Sequence, residues 1–177
     1  MSLELVQNII KIPEEVQLSL DGKKITVTGA KGKITKDFSH TNIKITQEPD
    51  GIHLKAISKR KLDSALIGTV SAHIANMFKG VSKGYTYKMK IVFVHFPMAI
   101  KIIGREIHIE NFIGERKARI TKIVGDTKVS IKQDDVIIEG IDKDDVGQTA
   151  SNIQQKTKVY KKDLRKFLDG IYVYSRE

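Results

Sequence analysis

The sequence has no cysteine and no tryptophan, and only 6% of its 177 residues are aromatic. Without cysteine, the chain cannot form disulfides, thiolate zinc sites or a cysteine nucleophile. Most of its few aromatic side chains stand at core-like spacings, which argues against a platform on which single-stranded bases stack. If the partner is a nucleic acid, the sequence therefore predicts recognition through shape and backbone, as in structured RNA.

Long apolar runs are also missing. The first residues interrupt their apolar positions with Glu4, Gln7 and Asn8, so they lack the unbroken apolar core of a signal peptide. No other run approaches the length that crosses a bilayer. We therefore expect a soluble, cytoplasmic protein with no membrane partner.

Patterns of catalytic or metal-binding residues are absent as well. The five histidines show no ligand spacing and no nucleophile motif; they are His40, His53, His73, His95 and His108. The acidic pairs Asp134–Asp135 and Asp144–Asp145 stand where aspartate favours turns and helix N-caps. The sequence thus predicts no enzyme, no cofactor, no metal and no small-molecule substrate.

A glycine-rich stretch, Gly29 to Lys33, has the composition of a phosphate-binding loop. It lacks the G-x-x-x-x-G-K-[ST] spacing and lies between two predicted strands, where a nucleotide loop would open a helix. A basic connection between strands is the favoured interpretation.

Positive charge is what the sequence has in excess. Thirty-one Lys and Arg oppose 21 Asp and Glu, for a net charge of +10, which favours a nucleic acid or an anionic membrane. The densest block holds a single anion, Asp163, and six cations: Lys156, Lys158, Lys161, Lys162, Arg165 and Lys166. A second cluster follows Gly114 and contains Arg116, Lys117, Arg119 and Lys122. A third, Lys59 to Lys61, is explained equally well as a solvated surface.

Periodicity in the first half predicts five strands and one helix. Alternation predicts strands around 16–20, 25–28, 33–38, 43–45 and 52–54, with turns at Asp21-Gly22 and Asp50-Gly51. From Lys59 the period becomes helical, and Gly80 is predicted to end the helix. Its apolar stripe is Leu62, Leu66, Val70, Ile74 and Met77.

The second half repeats this programme. Gly104, Ile109 and Gly114 stand 82 positions after Gly22, Val27 and Gly32. Residues 129–131 and 136–138 then correspond to the strands at 43–45 and 52–54, and Gly170 to Gly80. Residues 85–96 are predicted to be a strand that opens the second unit. We expect an α+β fold of two tandem duplicated domains, 1–83 and 84–177, each with small antiparallel sheets and one main helix around a single core.

The densest basic block allows two structures. A helix continued through Leu168 would align Ile153, Tyr160 and Leu164 on one face. The repeat argues otherwise, because the second unit has a longer spacing before its closing glycine. We therefore predict a helix from near Asp144 to about Thr157, followed by a basic loop from Lys158 to Lys166 and a closing strand.

Three stretches, Ser71 to Pro97, Glu110 to Arg119 and Asn152 to Val173, resemble the large ribosomal subunit protein six family in its archaeal and eukaryotic branch. The resemblance covers nearly the whole chain and includes the tandem duplication. It implies a non-catalytic constituent of the large subunit that binds folded rRNA, with neighbouring ribosomal proteins as further partners. The end of the chain at Glu177, without the extended tail of many eukaryotic members, favours an archaeal source.

The same resemblance implies where the rRNA binds. The second domain is expected to make the principal contacts, close to the sarcin–ricin loop and the region where translation factors dock. The leading contact candidates are Lys156, Lys158, Lys161, Lys162, Arg165 and Lys166, followed by Arg116, Lys117 and Arg119. The alternative is a non-ribosomal basic protein that binds or processes RNA; an enzyme of that kind would need a convergent set of acid, base or metal-binding groups.

Overall fold

The computed structural model describes residues 7–56 and 61–177. The chain divides into two compact units, residues 1–84 and 85–177. Each unit is α+β, with two small antiparallel sheets and one long helix. No helix within the described residues is both long and apolar enough to cross a bilayer.

The described elements of the first unit are β1 (Gln7–Ile10), β2 (Gln17–Asp21), β3 (Lys24–Gly29), β4 (Gly32–Asp37), β5 (Ile43–Glu48), β6 (Gly51–Ala56) and α1 (Lys61–Ser82). The helix α1 packs against strands of two three-stranded sheets, whose orders are β2-β3-β4 and β1-β6-β5. Alternating apolar positions face the helix, so Ile25, Val27 and Leu54 are buried together with Val70 and Ile74 of α1.

The second unit has the same plan, with one strand more than the described part of the first unit. Its elements are β7 (Tyr85–Val92), β8 (Ala99–Ile103), β9 (Glu106–Glu110), β10 (Arg119–Lys122), β11 (Lys128–Lys132), β12 (Asp135–Gly140), α2 (Lys143–Lys156) and β13 (Gly170–Arg176). The helix α2 packs against β7, β10, β12 and β13, and the two sheets have the orders β8-β9-β10 and β11-β12-β7-β13. The core of this unit includes Met89, Ile109, Phe112, Ile153 and Ile171.

The predicted duplication is confirmed at the level of hairpins. Gly22 and Gly104 occupy equivalent β-turns with φ of +63° and +60°, a conformation that glycine adopts at little cost. Strands β11 and β12 repeat β5 and β6, and β7 lies beside β12 as β1 lies beside β6. Gly114 does not repeat Gly32, because it lies in a 3₁₀ turn, Phe112–Gly114, within a longer connection between β9 and β10.

Three predictions for the first unit were wrong. The structure has six strands among the described residues, because the short β1 pairs with β6. The helix passes through Gly80 and ends at Ser82, where Gly84 takes a φ of +78° and its N–H donates to the Lys79 carbonyl. Leu62, predicted to face the core, is 73% exposed. The predicted helix start at Lys59 lies outside the described residues.

Two predictions for the second unit also need correction. Strand β7 ends at Val92 and does not continue to Phe96, because its neighbour β13 begins opposite Val92 and offers no further partner. Gly170, which the repeat matched with Gly80, opens β13, whereas Gly80 lies within α1. The predicted limits of α2, near Asp144 to Thr157, are confirmed, and no helix continues through Leu168.

The glycine-rich stretch at Gly29 forms the tip of the β3–β4 hairpin, as predicted for a strand connection. Gly29 pairs with Gly32, the Lys31 N–H donates to the Val81 carbonyl at 2.9 Å, and the Lys31 ammonium donates to the Lys83 carbonyl. These contacts tie the tip to the end of α1.

The acidic pairs take the structural positions that were expected. The Asp142 carboxylate caps α2 by accepting the Asp144 N–H at 2.9 Å, and Asp144 and Asp145 lie in the first turn, where negative charge is favourable. Asp134 lies in the turn between β11 and β12, and Asp135 opens β12. Within residues 7–56 and 61–177, no group of three or more His, Asp or Glu side chains could hold a metal ion.

Candidate nucleic-acid interface

The segment between α2 and β13, residues 157–169, contains the predicted loop from Lys158 to Lys166 and is called the basic loop from here on. It starts from a buried threonine at the end of α2. The Thr157 hydroxyl donates to the Ile153 carbonyl of α2 and accepts the Ile171 N–H of β13, both at 3.1 Å. Two residues on, Val159 is buried in the core of the second unit. The start of the loop is therefore held to the helix, the sheet and the core.

The far end of the basic loop is held as firmly. Asp169 is 1% exposed, and its carboxylate accepts the Val94 N–H at 3.1 Å. Phe167 packs against the core, with its ring centroid 6.0 Å from that of His95. With both ends anchored, little conformational freedom remains for the residues between them.

The middle of the basic loop is a single turn organised by Asp163. Its carboxylate accepts the Arg165 N–H at 3.0 Å, and its carbonyl accepts the N–H groups of Lys166 and Phe167 at 3.1 and 3.0 Å. Lys161 has a φ of +57°, uncommon for a residue with a side chain, and turns the chain just before this turn.

The cations of the basic loop point to solvent. Lys158, Lys161, Lys162, Arg165 and Lys166 are all exposed. In the described part of the chain, none of them forms a salt bridge. Two lie near aromatic rings: Lys158 Nζ is 5.7 Å from the Tyr160 centroid and Lys162 Nζ is 4.7 Å from that of Phe167. The loop thus offers a concentrated positive surface, and among the described residues no carboxylate forms a salt bridge with these cations.

Arg119 is different, because its guanidinium faces the protein. Nε and Nη2 donate to the two Glu115 carboxylate oxygens at 2.9 and 2.6 Å. Nη1 donates to the carbonyls of Lys156 and Lys158 at 2.7 and 3.2 Å, where α2 ends and the basic loop begins. The guanidinium carbon also lies 4.1 Å from the centroid of the buried Phe112 ring.

This arrangement lowers the pKa of the Glu115 carboxyl, chiefly through the hydrogen bonds from Arg119. Arg119 also links the two basic clusters, because it binds Glu115 in the connection between β9 and β10, residues 111–118, and the Lys158 carbonyl of the basic loop. Arg116 and Lys117 are exposed on that connection. Of the three residues predicted as the second set of rRNA contacts, Arg116 and Lys117 are therefore exposed, whereas Arg119 donates to acceptors of the protein itself.

A groove lies between β10 and α2, beside the basic loop. This β10–α2 groove encloses about 920 Å³, and every charged residue that lines it in the described structure is basic. Lys117 and Lys122 stand on one side, Lys156 on the other, with Tyr160 at the loop. The remaining lining residues are Ala118, Arg119, Ile120, Thr121, Asn152 and Gln155.

Seven lining residues were not among the predicted contacts: Ala118, Ile120, Thr121, Lys122, Asn152, Gln155 and Tyr160. Lys122 could have been chosen from its membership of the second basic cluster. Asn152 and Gln155 carry a weaker signal. Asn152 stands three positions before Gln155 and four before Lys156, a spacing that places these side chains on one face of a helix. Nothing in the sequence brings that face to β10, because the contact joins segments about thirty residues apart in the chain.

The described residues of this site can therefore form electrostatic interactions and hydrogen bonds. Exposed Lys and Arg groups neutralise phosphates, and amide side chains bind polar edges. Among the described carboxylates and histidines near the site, Glu115 binds Arg119, Asp163 and Asp169 hold the basic loop, and His95 lies beside Phe167.

Comparison with known proteins agrees with this two-unit architecture. The family model described as "Ribosomal protein L6" matches residues 12–84 and 96–170, one segment in each unit. "Large ribosomal subunit protein uL6" of Aeropyrum pernix is 44% identical over 169 residues, covering 95% of this chain and 93% of that protein. The protein of the same name from Staphylothermus marinus is 48% identical over 169 residues, with 93% and 91% covered. That of Methanobrevibacter smithii is 44% identical over 172 residues, with 97% of each chain covered. On this match, and with these archaeal relatives, the chain belongs to the ribosomal protein L6 family.

Proposed function

We propose that this chain is a structural, non-catalytic constituent of the large ribosomal subunit, and that its second unit is the principal binding site for folded large-subunit rRNA. The observation that carries the proposal is the basic loop: five exposed cations on a segment fixed at both ends by buried residues. Family membership supports the assembly, since the relatives are named as large-subunit proteins.

The physical basis is counterion release. Each Lys or Arg that neutralises a phosphate releases condensed cations from the RNA, so affinity falls as salt rises. Cations without carboxylate partners give up no ion pair on binding. Because the loop is already ordered by Thr157, Asp163 and Asp169, binding loses less conformational entropy than it would from a flexible tail.

We further propose that the bound rRNA lies near the sarcin–ricin loop, in the region where translation factors dock. The resemblance of the segments around Arg119 and Lys162 to the family supports this location. Chemical footprinting of intact large subunits checks it: protection should appear near the sarcin–ricin loop when this protein is present and disappear when it is omitted from reconstitution. Protection confined to distant rRNA would refute the location while leaving rRNA binding intact.

The binding of rRNA is tested with a triple variant that neutralises three cations of the basic loop, Lys161→Gln, Lys162→Gln and Arg165→Gln. The matched control neutralises three exposed lysines of the first unit, Lys33→Gln, Lys44→Gln, Lys55→Gln, with the same change in net charge. Filter binding to large-subunit rRNA is measured between about 50 and 200 mM salt.

Each lost phosphate contact reduces the slope of log K against log salt by about 0.7 to 0.9, so the loop variant should lose about 2 to 3 from its slope. The control should keep the wild-type slope. A wild-type slope in the loop variant would show that the basic loop does not contact the phosphates.

A further inference from the structure

Tyr160 occupies an unusual place for an aromatic residue in a chain with so few of them. Its side chain is 64% exposed, although its neighbour Val159 is buried in the core. Since Val159 fixes the backbone, Tyr160 is held outward at the β10–α2 groove. An apolar ring kept in water next to a cationic groove suits a ligand that has both a flat face and negative charge.

The groove itself matches a nucleotide. Its volume of about 920 Å³ is within the range of small-ligand sites, about 300 to 1,000 Å³. Lys117, Lys122 and Lys156 place positive charge on both walls. Ile120, which is 42% exposed, adds apolar surface within the lining.

Two amides on α2 can bind the polar edge of a base. The Asn152 carbonyl oxygen accepts from Gln148 Nε2 at 2.8 Å, which fixes the side chain with its NH₂ group as a donor toward other partners. Gln155 is exposed one turn further along the helix and lines the same groove. Together, ring, cations and amides offer stacking, phosphate neutralisation and hydrogen bonds within one groove.

We infer that the β10–α2 groove binds a single unpaired nucleotide of the rRNA, with the base stacked on Tyr160 and the flanking phosphates beside Lys117, Lys122 and Lys156. This inference rests on the proposed rRNA binding. An unpaired nucleotide is required because the faces of bases within a duplex are covered by their neighbours. The sequence argued against an extended stacking platform, and the inferred site differs from one, because it uses one ring.

The variant Tyr160→Trp gives a direct test, since the chain contains no other tryptophan. The full-length variant is titrated with a transcript of large-subunit rRNA while tryptophan emission is followed. Stacking on a base should quench that emission. The matched control is Tyr174→Trp, which places the fluorophore at another exposed tyrosine, 58% exposed, that does not line the groove.

Three results together support the inference: quenching of Tyr160→Trp by the rRNA, no comparable quenching of Tyr174→Trp, and none with a fully paired RNA duplex. In filter binding, Tyr160→Ala should weaken affinity about 5- to 150-fold, the effect of losing one base–aromatic stack. Tyr160→Phe should bind as the wild type does, because the ring remains. The salt slope of both variants should stay unchanged, since no phosphate contact is removed.

Emission that does not change when the rRNA binds with wild-type affinity and slope would overturn the inference and leave the proposed function standing. Equal quenching by the duplex would also overturn it, because the groove would then hold paired RNA. Failure of the proposed function has a separate signature, an unchanged salt slope in the variant of the basic loop.

Discussion

Replacing Arg119 with alanine should destabilise the second unit while leaving the number of phosphate contacts unchanged. The guanidinium joins three features: the Glu115 carboxylate, the ring of Phe112, and the carbonyls of Lys156 and Lys158. Without it, the end of α2 and the connection before β10 lose their common partner. The basic loop begins at that point, so its starting geometry should loosen.

The expected magnitude follows from these contacts. The pair with Glu115 contributes about 0.5 kcal/mol, because the carboxylate is 44% exposed and water screens it. The cation–π contact with Phe112 adds about 0.5 to 1 kcal/mol. The hydrogen bonds to the two carbonyls add about 1 kcal/mol together, less than the usual value of about 1.5 to 3 kcal/mol for one bond from a charged donor, because water can replace them. The loss is about 2 kcal/mol, or about 8 to 16 °C in Tm for a unit of this size.

The chain supplies its own probe for this measurement. All five tyrosines lie in the second unit, at positions 85, 87, 160, 172 and 174. Near-ultraviolet circular dichroism of tyrosine therefore reports on the unfolding of that unit, which matters because a chain with two units need not unfold in one transition.

Two further variants separate geometry from charge. Arg119→Lys keeps the charge, but an ammonium cannot bind the carboxylate bidentately and reach two carbonyls, so most of the stability should still be lost. Arg116→Ala removes an exposed cation three positions earlier and should change stability by less than about 0.5 kcal/mol.

The same variants decide how Arg119 serves RNA binding. If Arg119 positions the basic loop, Arg119→Ala lowers affinity with an unchanged salt slope; a direct phosphate contact would reduce the slope by about 0.7 to 0.9. The reasoning is refuted if Arg119→Ala melts at the temperature of Arg116→Ala and loses that slope. Such a result would mean that the guanidinium leaves Glu115 to bind RNA.

Much of the fold was predictable because its signals are local. The turns at Gly22 and Gly104 need a positive φ, and the dipeptides Asp21-Gly22 and Gly104-Arg105 stand between alternating apolar residues. The duplication then transferred the prediction from one half to the other. It also located the end of α2, since extra residues before the closing strand had to form a loop.

The errors arose where local signals are equal and tertiary contacts decide. Gly80 and Gly84 both suit a helix end, but only Gly84 adopts a positive φ, and β7 begins at the next residue. Strand β1 has four residues and mostly exposed side chains, so its pattern is weak and pairing with β6 defines it.

The candidate site likewise has one part that the sequence predicts and another that tertiary contacts decide. The density of charge in the basic loop is a property of the sequence. The inward orientation of Arg119 is not, because it depends on carbonyls 37 and 39 positions away. The β10–α2 groove likewise exists only after α2 packs against β10, which is why Lys122 and Tyr160 were not predicted as a pair.

Two further predictions concern how the basic loop is held. Thr157→Val keeps the buried volume but leaves the Ile171 N–H without its acceptor, and should cost about 1 to 3 kcal/mol in urea unfolding followed by tyrosine circular dichroism. Thr157→Ser, which retains the hydroxyl, should recover most of it, and equal stability of the valine and serine variants would contradict the role of that hydrogen bond. The second prediction is a pH dependence. Because Arg119 lowers the folded-state pKa of Glu115 below its ordinary value of 4.5, the pair stabilises the fold above that value, and the stabilisation is lost as pH falls through the lowered pKa. Glu115→Gln should be less stable than the wild type at neutral pH, and the difference should shrink as the solution is acidified. Glu177, whose pKa Lys88 lowers in the same direction, titrates in both proteins and cancels from the comparison. A difference that persisted at acid pH would show that the ionised carboxylate is not what binds Arg119.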